Sequence, residues 1–463
     1  MTKNLLKLII SLIIFTVTFI PRLYKINNPV ADWHSWRQAD TAAVARNFAQ
    51  GRFNLLYPQS DSLMALNLQR LPNPDRLFIN EFPFYNAIVA VLYQQFGVHE
   101  AYARLVSVGF ASLGAVFLFW LAKDLFGSKI ALVTGLFYAF NPYNIYYGRV
   151  IMPDPIFVSL SIISLYLFVN FKFILFSFVF ALALLVKPYA IFILLPCFYW
   201  AVVSHKLKTF CWTLVALLPL ALWRLYIFLV PEGSFSSRWL YNETNIRFTG
   251  AFFRWLIFDR LNRLIFATGG FVLFIVGILN SYLNKTRGLI FVWLLSVMLY
   301  MTIFAMGNVT HDYYQLPLLP VGSILVAFGF WAMVNASKKL FPRLMNLLLA
   351  LALVILSLAF GWYEVRGYFN INHPEIITAG QAVDQLLPKD ALVIAPYNRD
   401  VAFLYQTNRH GWPEGGNLDT KISQGATHYV SVVFDKETVD LEQKCRVLEK
   451  TQQYVIIDLR NCL

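Results

Sequence analysis

Long uninterrupted apolar runs separated by short polar breaks fill the chain as far as about residue 362. The first follows Lys3 and Lys7 and reaches Ile20; the later ones cover roughly 104–122, 129–147, 155–171, 173–186, 188–204, 209–230, 263–283, 288–306, 313–335 and 343–362. They are apolar throughout rather than alternating, which is the pattern of lipid-immersed helices and not of a β-barrel. At ~20 residues per crossing they predict about eleven spans. Pro21-Arg22-Leu23-Tyr24 offers no cleavage site after the first run, so it reads as an uncleaved span with its N-terminus inside. The run 173–186 is short, and Pro188 is placed to end it early. Segment 82–97 is also short; counting it as a span would invert every later loop. It reads as a juxtamembrane or re-entrant helix.

The breaks alternate in character. One set is short and basic: Lys123 with Lys129, Lys172, His205-Lys206 with Lys208, Lys285 with Arg287, and Lys338-Lys339 with Arg343. By the Lys/Arg bias of short loops these face the cytoplasm. The stretches 25–103 and 231–262 and the tail after 362 then fall outside. The tail has strand-length apolar runs at 391–395, 427–434 and 454–459, with a polar helical stretch at 436–450. The expected organisation is an all-α polytopic membrane domain over 1–362, with first outer loop 25–103, and a small α/β extracytoplasmic domain over 363–463.

Composition excludes the soluble alternative. Charged residues are 14% and AVILMFWYC residues 58%, whereas soluble domains carry ~25% charge. So apolar a chain would not stay disordered either. The formal net charge of +13 accompanies no basic, aromatic-interleaved nucleic-acid module, so no nucleic-acid partner is expected. The excess suits positive-inside anchoring and contact with lipid phosphates. Cys197 and Cys211 lie in apolar segments, while Cys445 and Cys462 would be able to pair if the tail is outside the cytoplasm.

This parity brings four polar groups to one face: 31–48, 147–155, Lys187-Pro188 and 308–320. Asp40 heads the acids. It would accept a proton as a general base, or equally cap the helix TAAVARNFAQ. Asp32 competes within the loop, and His34, Arg37 and Glu81 join it as candidate cavity lining; Trp33 and Trp36 read as interfacial anchors. Asp154, between two prolines, would cap the next helix, or orient the site and hold a cation. Lys187, Arg149, Arg224 and Arg247 are candidate phosphate ligands, with snorkelling or headgroup anchoring as the plainer role for lysine and arginine at an interface. His311, Asp312, Tyr313 and Tyr314 form a polar aromatic rim. If a divalent ion (Mg or Mn) is used, Asp154 and His311 are its candidate ligands.

The order of an outer-loop Asp opening D-T-A-A-V-A-R-N-F, then E-F-P-F-Y-N, M-P-D-P, V-K-P and H-D-Y-Y-Q-L-P-L-L-P resembles the GT-C membrane glycosyltransferases. Within that class it is most similar to family 39, the dolichyl-phosphate-mannose protein mannosyltransferases and lipid A aminoarabinose transferases. The resemblance covers about 1–362. It implies eleven to thirteen spans with juxtamembrane helices, a polyprenyl-phosphate-linked sugar as donor, and inverting transfer to a lipid, glycan or protein acceptor at the outer face. It assigns the family's general base to Asp40, its second-loop acid to Asp154, its lysine to Lys187, and its tyrosine-rich motif to His311–Tyr314. Two departures stand out. Thr41 follows Asp40 where the family has Glu, and Glu81-Phe82-Pro83-Phe84 replaces a Lys-Pro-Pro-Leu motif, which argues against a close aminoarabinose transferase.

The expected protein is thus a polyprenyl-phosphate-sugar-dependent glycosyltransferase of a prokaryotic plasma membrane. A transporter or flippase of lipid-linked sugars is the alternative, and a non-catalytic membrane scaffold a third reading. The first alternative would place ionisable residues at mid-bilayer in paired broken helices, and the sequence has neither.

Overall fold

The computed structural model describes residues 3–66, 71–235, 237–280, 285–336 and 342–462, so the basic break at Lys338-Lys339 lies outside the described residues. The chain forms two compact units. One comprises Met1–Ile26, Leu105–Arg224 and Ser237–Gly367; the other Asn27–Arg104, Leu225–Ser236 and Tyr368–Leu463.

The first unit is helical, and its apolar runs are helical over most of their described residues. Among the described residues five are long and apolar enough to cross a membrane alone: Asn4–Leu23, Glu100–Phe126, Leu207–Leu229, Lys285–Ile303 and Arg343–Phe369. Shorter apolar helices are Ser128–Phe140, Asp154–Val169, Phe173–Val186, Pro188–Val203 and Leu318–Val334. The stretch predicted as one span over 263–283 is not straight. Gly250–Ile265 and Gly269–Leu279 meet at a 115° bend, where Ala267 and Thr268 adopt φ of 46° and 54°. Two non-glycine residues in the left-handed region interrupt the helical hydrogen bonding there. Small residues let the next helices approach: Gly269–Leu279 packs on Leu318–Val334. A Cβ on Gly277 would strike the Leu325 carbonyl, and one on Gly329 the Leu273 carbonyl. The chain is a multi-pass integral membrane protein.

In the second unit, the helix Ser35–Gln50 packs on Phe84–Phe96 and on Val401–Gln406. Phe84–Phe96 has 13 residues, about 20 Å of helix, well short of the ~30 Å hydrocarbon core. The tail holds a five-stranded mixed sheet. Its strands are β1 (Leu392–Ile394), β2 (His410–Trp412), β3 (His428–Ser431), β4 (Cys445–Lys450) and β5 (Val455–Cys462), in the order β2-β1-β3-β5-β4. β1 runs parallel to β2 and β3, and β5 antiparallel to β3 and β4. The predicted helix over 436–450 is shorter, Lys436–Lys444. Cys445 and Val447 alternate with exposed residues and pair with β5, so tertiary pairing overrides local helix propensity from Cys445 onward. Ile394, Trp412, Tyr429, Leu441, Val455 and Ile457 fill the core under the sheet. A Cys445–Cys462 disulfide closes β4 onto the end of β5.

Cys197 is buried and Cys211 exposed. N-ethylmaleimide followed by intact mass should therefore add two labels to the detergent-denatured chain and four after reduction. Four labels without reductant would exclude the disulfide.

Candidate active site

The helix Ser35–Gln50 begins five residues before Asp40, with His34 in the left-handed region (φ 58°) at its N-cap. Asp40 is therefore an interior residue of the helix and not its cap. The helix is buried from Arg37 through Arg46, charged residues included, and burial of a polar group requires a partner. Arg37 reaches both oxygens of Glu81 at 2.8 Å. Gln38 donates to Asp32 Oδ1 at 2.6 Å, and Arg104 lies 3.5 Å from Asp32 Oδ2. Arg46 pairs with Asp61. Thr41 Oγ1 donates to the Arg37 carbonyl at 2.9 Å. Asp40 breaks the rule: it is 8% exposed, and no hydrogen bond or ion pair reaches its carboxylate among the described residues.

Its electrostatics follow. Burial drives the Asp40 pKa up; Arg37 pulls it back, and Asp400, Asp61 and Glu81 push it up again, to about 7. Asp400 caps the helix Val401–Gln406 by accepting from Ala402 N at 2.7 Å. Burial raises its own pKa to about 6.

The other site residues lie in the first unit. Pro188 excludes Lys187 from the helical region, so the chain extends there (φ −148°, ψ 123°) between Phe173–Val186 and the turn Pro188–Ile193. The ammonium is thereby turned to Asp154, at 2.9 Å, with both side chains at most 5% exposed. Rings of Tyr314, Tyr313 and Tyr189 surround it with centroids at 5.4, 5.6 and 5.7 Å, a cation–π cage. Asp154 opens the helix Asp154–Val169 without a side-chain cap bond, and its Oδ2 is buried with no hydrogen-bond partner. His311 stacks on Tyr313 and Tyr314 and meets Trp239 edge-on. Asp312 accepts from the Tyr147 hydroxyl and lies 4.0 Å from Arg260, while its carbonyl accepts from Tyr143 at 2.6 Å.

The remaining cations separate. Arg149 donates to the Lys25 carbonyl at 3.0 Å and lies over the Tyr146 ring. Arg247 turns its donors to the carbonyls of Thr302 (2.6 Å), Ile303 (2.5 Å) and Tyr241 (3.3 Å), a backbone clamp. Arg224 is exposed on the helix Cys211–Leu229. Among the described residues no three His, Cys, Asp or Glu side chains come together in a way that could hold a metal ion. The one acid of the Lys187 cluster is already engaged by an ammonium, so these residues do not fit the divalent ion considered from the sequence.

Sequence reasoning missed Asp61, Tyr143, Tyr189, Arg260 and Asp400, and it gave Tyr147 no role beyond its place in the 147–155 group. Arg260 carried a local signal, a charge inside the apolar register of WLIFDRLNRLIF, and Tyr189 lies two residues beyond Lys187; the others act through partners distant in sequence.

Solved structures of the same architecture exist. The crystal structure of ArnT from Cupriavidus metallidurans bound to undecaprenyl phosphate superposes with a TM-score of 0.65 at 14% identity, over 98% of this chain and 97% of that one. The archaeal oligosaccharyltransferase AglB from Archaeoglobus fulgidus, in complex with an inhibitory peptide and a dolichol-phosphate, gives 0.58 at 10% identity, over 91% and 69%. At these identities the likeness is one of fold, and the fold is GT-C. In sequence, residues 80–230 match the model of the dolichyl-phosphate-mannose-protein mannosyltransferase family; no curated protein sequence matches significantly. The matched segment holds E-F-P-F-Y-N, M-P-D-P and V-K-P. The resemblance read from the motifs holds: the chain has the GT-C fold, and over residues 80–230 its sequence is similar to the family 39 glycosyltransferases.

Lys187→Met would strand a buried Asp154 carboxylate, a loss of about 3–5 kcal/mol for a broken buried pair. The variant should melt well below wild type, and adding Asp154→Asn should restore most of the difference. Melting of the double variant at or below the single one would show that the pair is not coupled.

Proposed function

We propose that the chain moves a sugar from a polyprenyl-phosphate carrier to an acceptor hydroxyl at the outer face of the membrane, inverting the anomeric centre, with Asp40 as general base. The observation that carries this reading is a buried, unpaired carboxylate whose pKa is about 7. Such a group belongs to no structural ion pair and gains or loses its proton near neutrality, as a general base requires. The donor class is supported by the undecaprenyl phosphate and dolichol-phosphate bound in the two GT-C relatives. The outer side follows from the Lys/Arg bias of the short loops.

In the step itself the acceptor oxygen bonds to the anomeric carbon while its proton passes to Asp40. The bond from that carbon to the phosphate oxygen breaks, and its electron pair leaves on the phosphate. A cation lowers the energy of the charge that develops there. Lys187 is the first choice: its ammonium is preorganised by Asp154 and three tyrosines. Arg149 is the second. Arg224 supplies an exposed cation on an apolar helix, and Arg247 would have to give up carbonyl contacts to take part. Asp154 serves as the positioning residue for Lys187, and His311 with Tyr313 and Tyr314 forms the aromatic wall of that cluster. Asp32 and Glu81 hold Gln38 and Arg37, and with His34 they fix the helix that carries Asp40. The acceptor is a lipid, glycan or protein.

Purified protein in vesicles with a radiolabelled polyprenyl-phosphate sugar tests the reading. Asp40→Asn should lower transfer by about 10²–10⁴-fold, the range of a lost general base, with an unchanged elution profile. Transfer at near wild-type rate in that variant rejects the assignment, and translocation without transfer supports the flippase instead. Since the base acts deprotonated, wild-type transfer should rise with pH through about 7. Asp400→Asn keeps a capping side chain but removes a charge that raises the Asp40 pKa, so it should move that limb to lower pH. A limb that stays in place would separate Asp400 from the base.

A further inference from the structure

A pocket of about 390 Å³ opens in the second unit, inside the ~300–1,000 Å³ range of small-ligand sites. Arg46 and Asn47 line it from the Asp40 helix, Gln59 and Arg76 from later in the first loop, and Asn408 and His410 from the tail. No apolar side chain lines it. Guanidinium, amide and imidazole groups are instead what charged, hydroxyl-bearing ligands require.

The charges within it are unequally answered. Arg46 is neutralised by Asp61, and Lys389, also in the lining, by Asp384 at 2.6 Å. Arg76 donates Nη1 to the Ser60 carbonyl at 2.7 Å, yet no carboxylate comes within ion-pair distance of it among the described residues. His410 reports the resulting field. Partial burial and then Arg76, Arg46 and Arg409 push its pKa down to about 4, against the pull of Asp61. At neutral pH its imidazole is therefore uncharged and both donates and accepts. Its Nε2 faces Asn47 Oδ1 at 3.4 Å, and Asn47 Nδ2 donates to the Gln59 carbonyl and to Asp61.

Position connects the pocket to the base. Asn47 is seven residues beyond Asp40 in one helix; that is two turns, about 10 Å along the axis and on the same face. We infer that this pocket binds an acidic sugar, one bearing a phosphate or a carboxylate, with Arg76 holding the anion and the amides and His410 reading the hydroxyls. This deepens the reading of Asp40 as general base and rests on it in one respect: the bound sugar is then part of the acceptor, held about two helical turns from the residue that deprotonates it.

Binding tests the inference without turnover. Full-length protein in neutral-lipid nanodiscs, wild type and Asp40→Asn, is titrated with glucose 6-phosphate, glucose and inorganic phosphate, and the dissociation constants are read by saturation-transfer NMR. Glucose 6-phosphate should bind at least tenfold more tightly than either of the others in both proteins. Arg76→Gln should abolish that preference and Arg76→Lys keep most of it, each variant eluting as wild type. Phosphate binding as tightly as glucose 6-phosphate would reduce the pocket to a bare anion site and overturn the inference. A preference that survives Arg76→Gln, or no binding of any probe, overturns it as well. Since binding is read in the Asp40→Asn background too, failure of the general-base reading and failure of this one remain distinguishable.

Discussion

The burial of a polar helix is the constraint on which the second unit depends. Ser35–Gln50 places Arg37, Gln38, Asp40, Thr41 and Arg46 out of water within four turns, and uncompensated charges in such a position would each destabilise the fold by several kcal/mol. The surrounding chain supplies the compensation: Glu81 from the segment before Phe84–Phe96, Asp32 from the preceding turn, Asp61 from the following loop. With every neighbour answered, the helix is held rigidly enough to leave one carboxylate unanswered. Asp40 in that frame is a buried carboxylate with no hydrogen bond or ion pair among the described residues, and its pKa is raised accordingly.

The first unit handles charge differently. Lys187 and Asp154 are also buried, but they answer each other at 2.9 Å, and the aromatic rings about the ammonium replace lost hydration with quadrupole attraction. The pair is thus preorganised, at little cost in mobility, because a proline fixes one partner and a helix N-terminus the other. Asp312, gripped by Tyr147 and within reach of Arg260, repeats the arrangement with hydroxyl donors.

Local pattern carried much of this architecture. Long apolar runs have one physical outcome in lipid, so the described ones became helical, unbroken or bent, and the basic breaks between them needed no tertiary information. The bend at Ala267–Thr268 was hidden because nothing in FATGG distinguishes a kink from a helix start. The strand at Cys445–Lys450 was hidden because its register is set by β5, a partner that local propensity does not see. For the site, residue type and order led to Asp40, Asp154 and Lys187. The environment that sets the Asp40 pKa was not legible, since it is built from Arg37, Glu81, Asp61 and Asp400, groups brought together only by folding.

Asp400 has a wider consequence. A tail that follows the last span reads naturally as an appended module, yet it is woven into the first loop. Trp33 N donates to the Tyr368 carbonyl, Gln406 to the Val30 carbonyl, and Arg46 both donates to the Tyr405 carbonyl and lies over that ring at 4.4 Å. Gly411 exchanges backbone hydrogen bonds with the 61–63 segment. These contacts fix Val401–Gln406 against Ser35–Gln50 and bring the Asp400 carboxylate close enough to oppose ionisation of Asp40. Like-charge repulsion of that kind is felt through low dielectric over distances that water would screen. The proton affinity of the first-loop acid is therefore a property of the folded unit as a whole, and any rearrangement of the tail that moves Asp400 changes the acid–base balance of Asp40 without touching it.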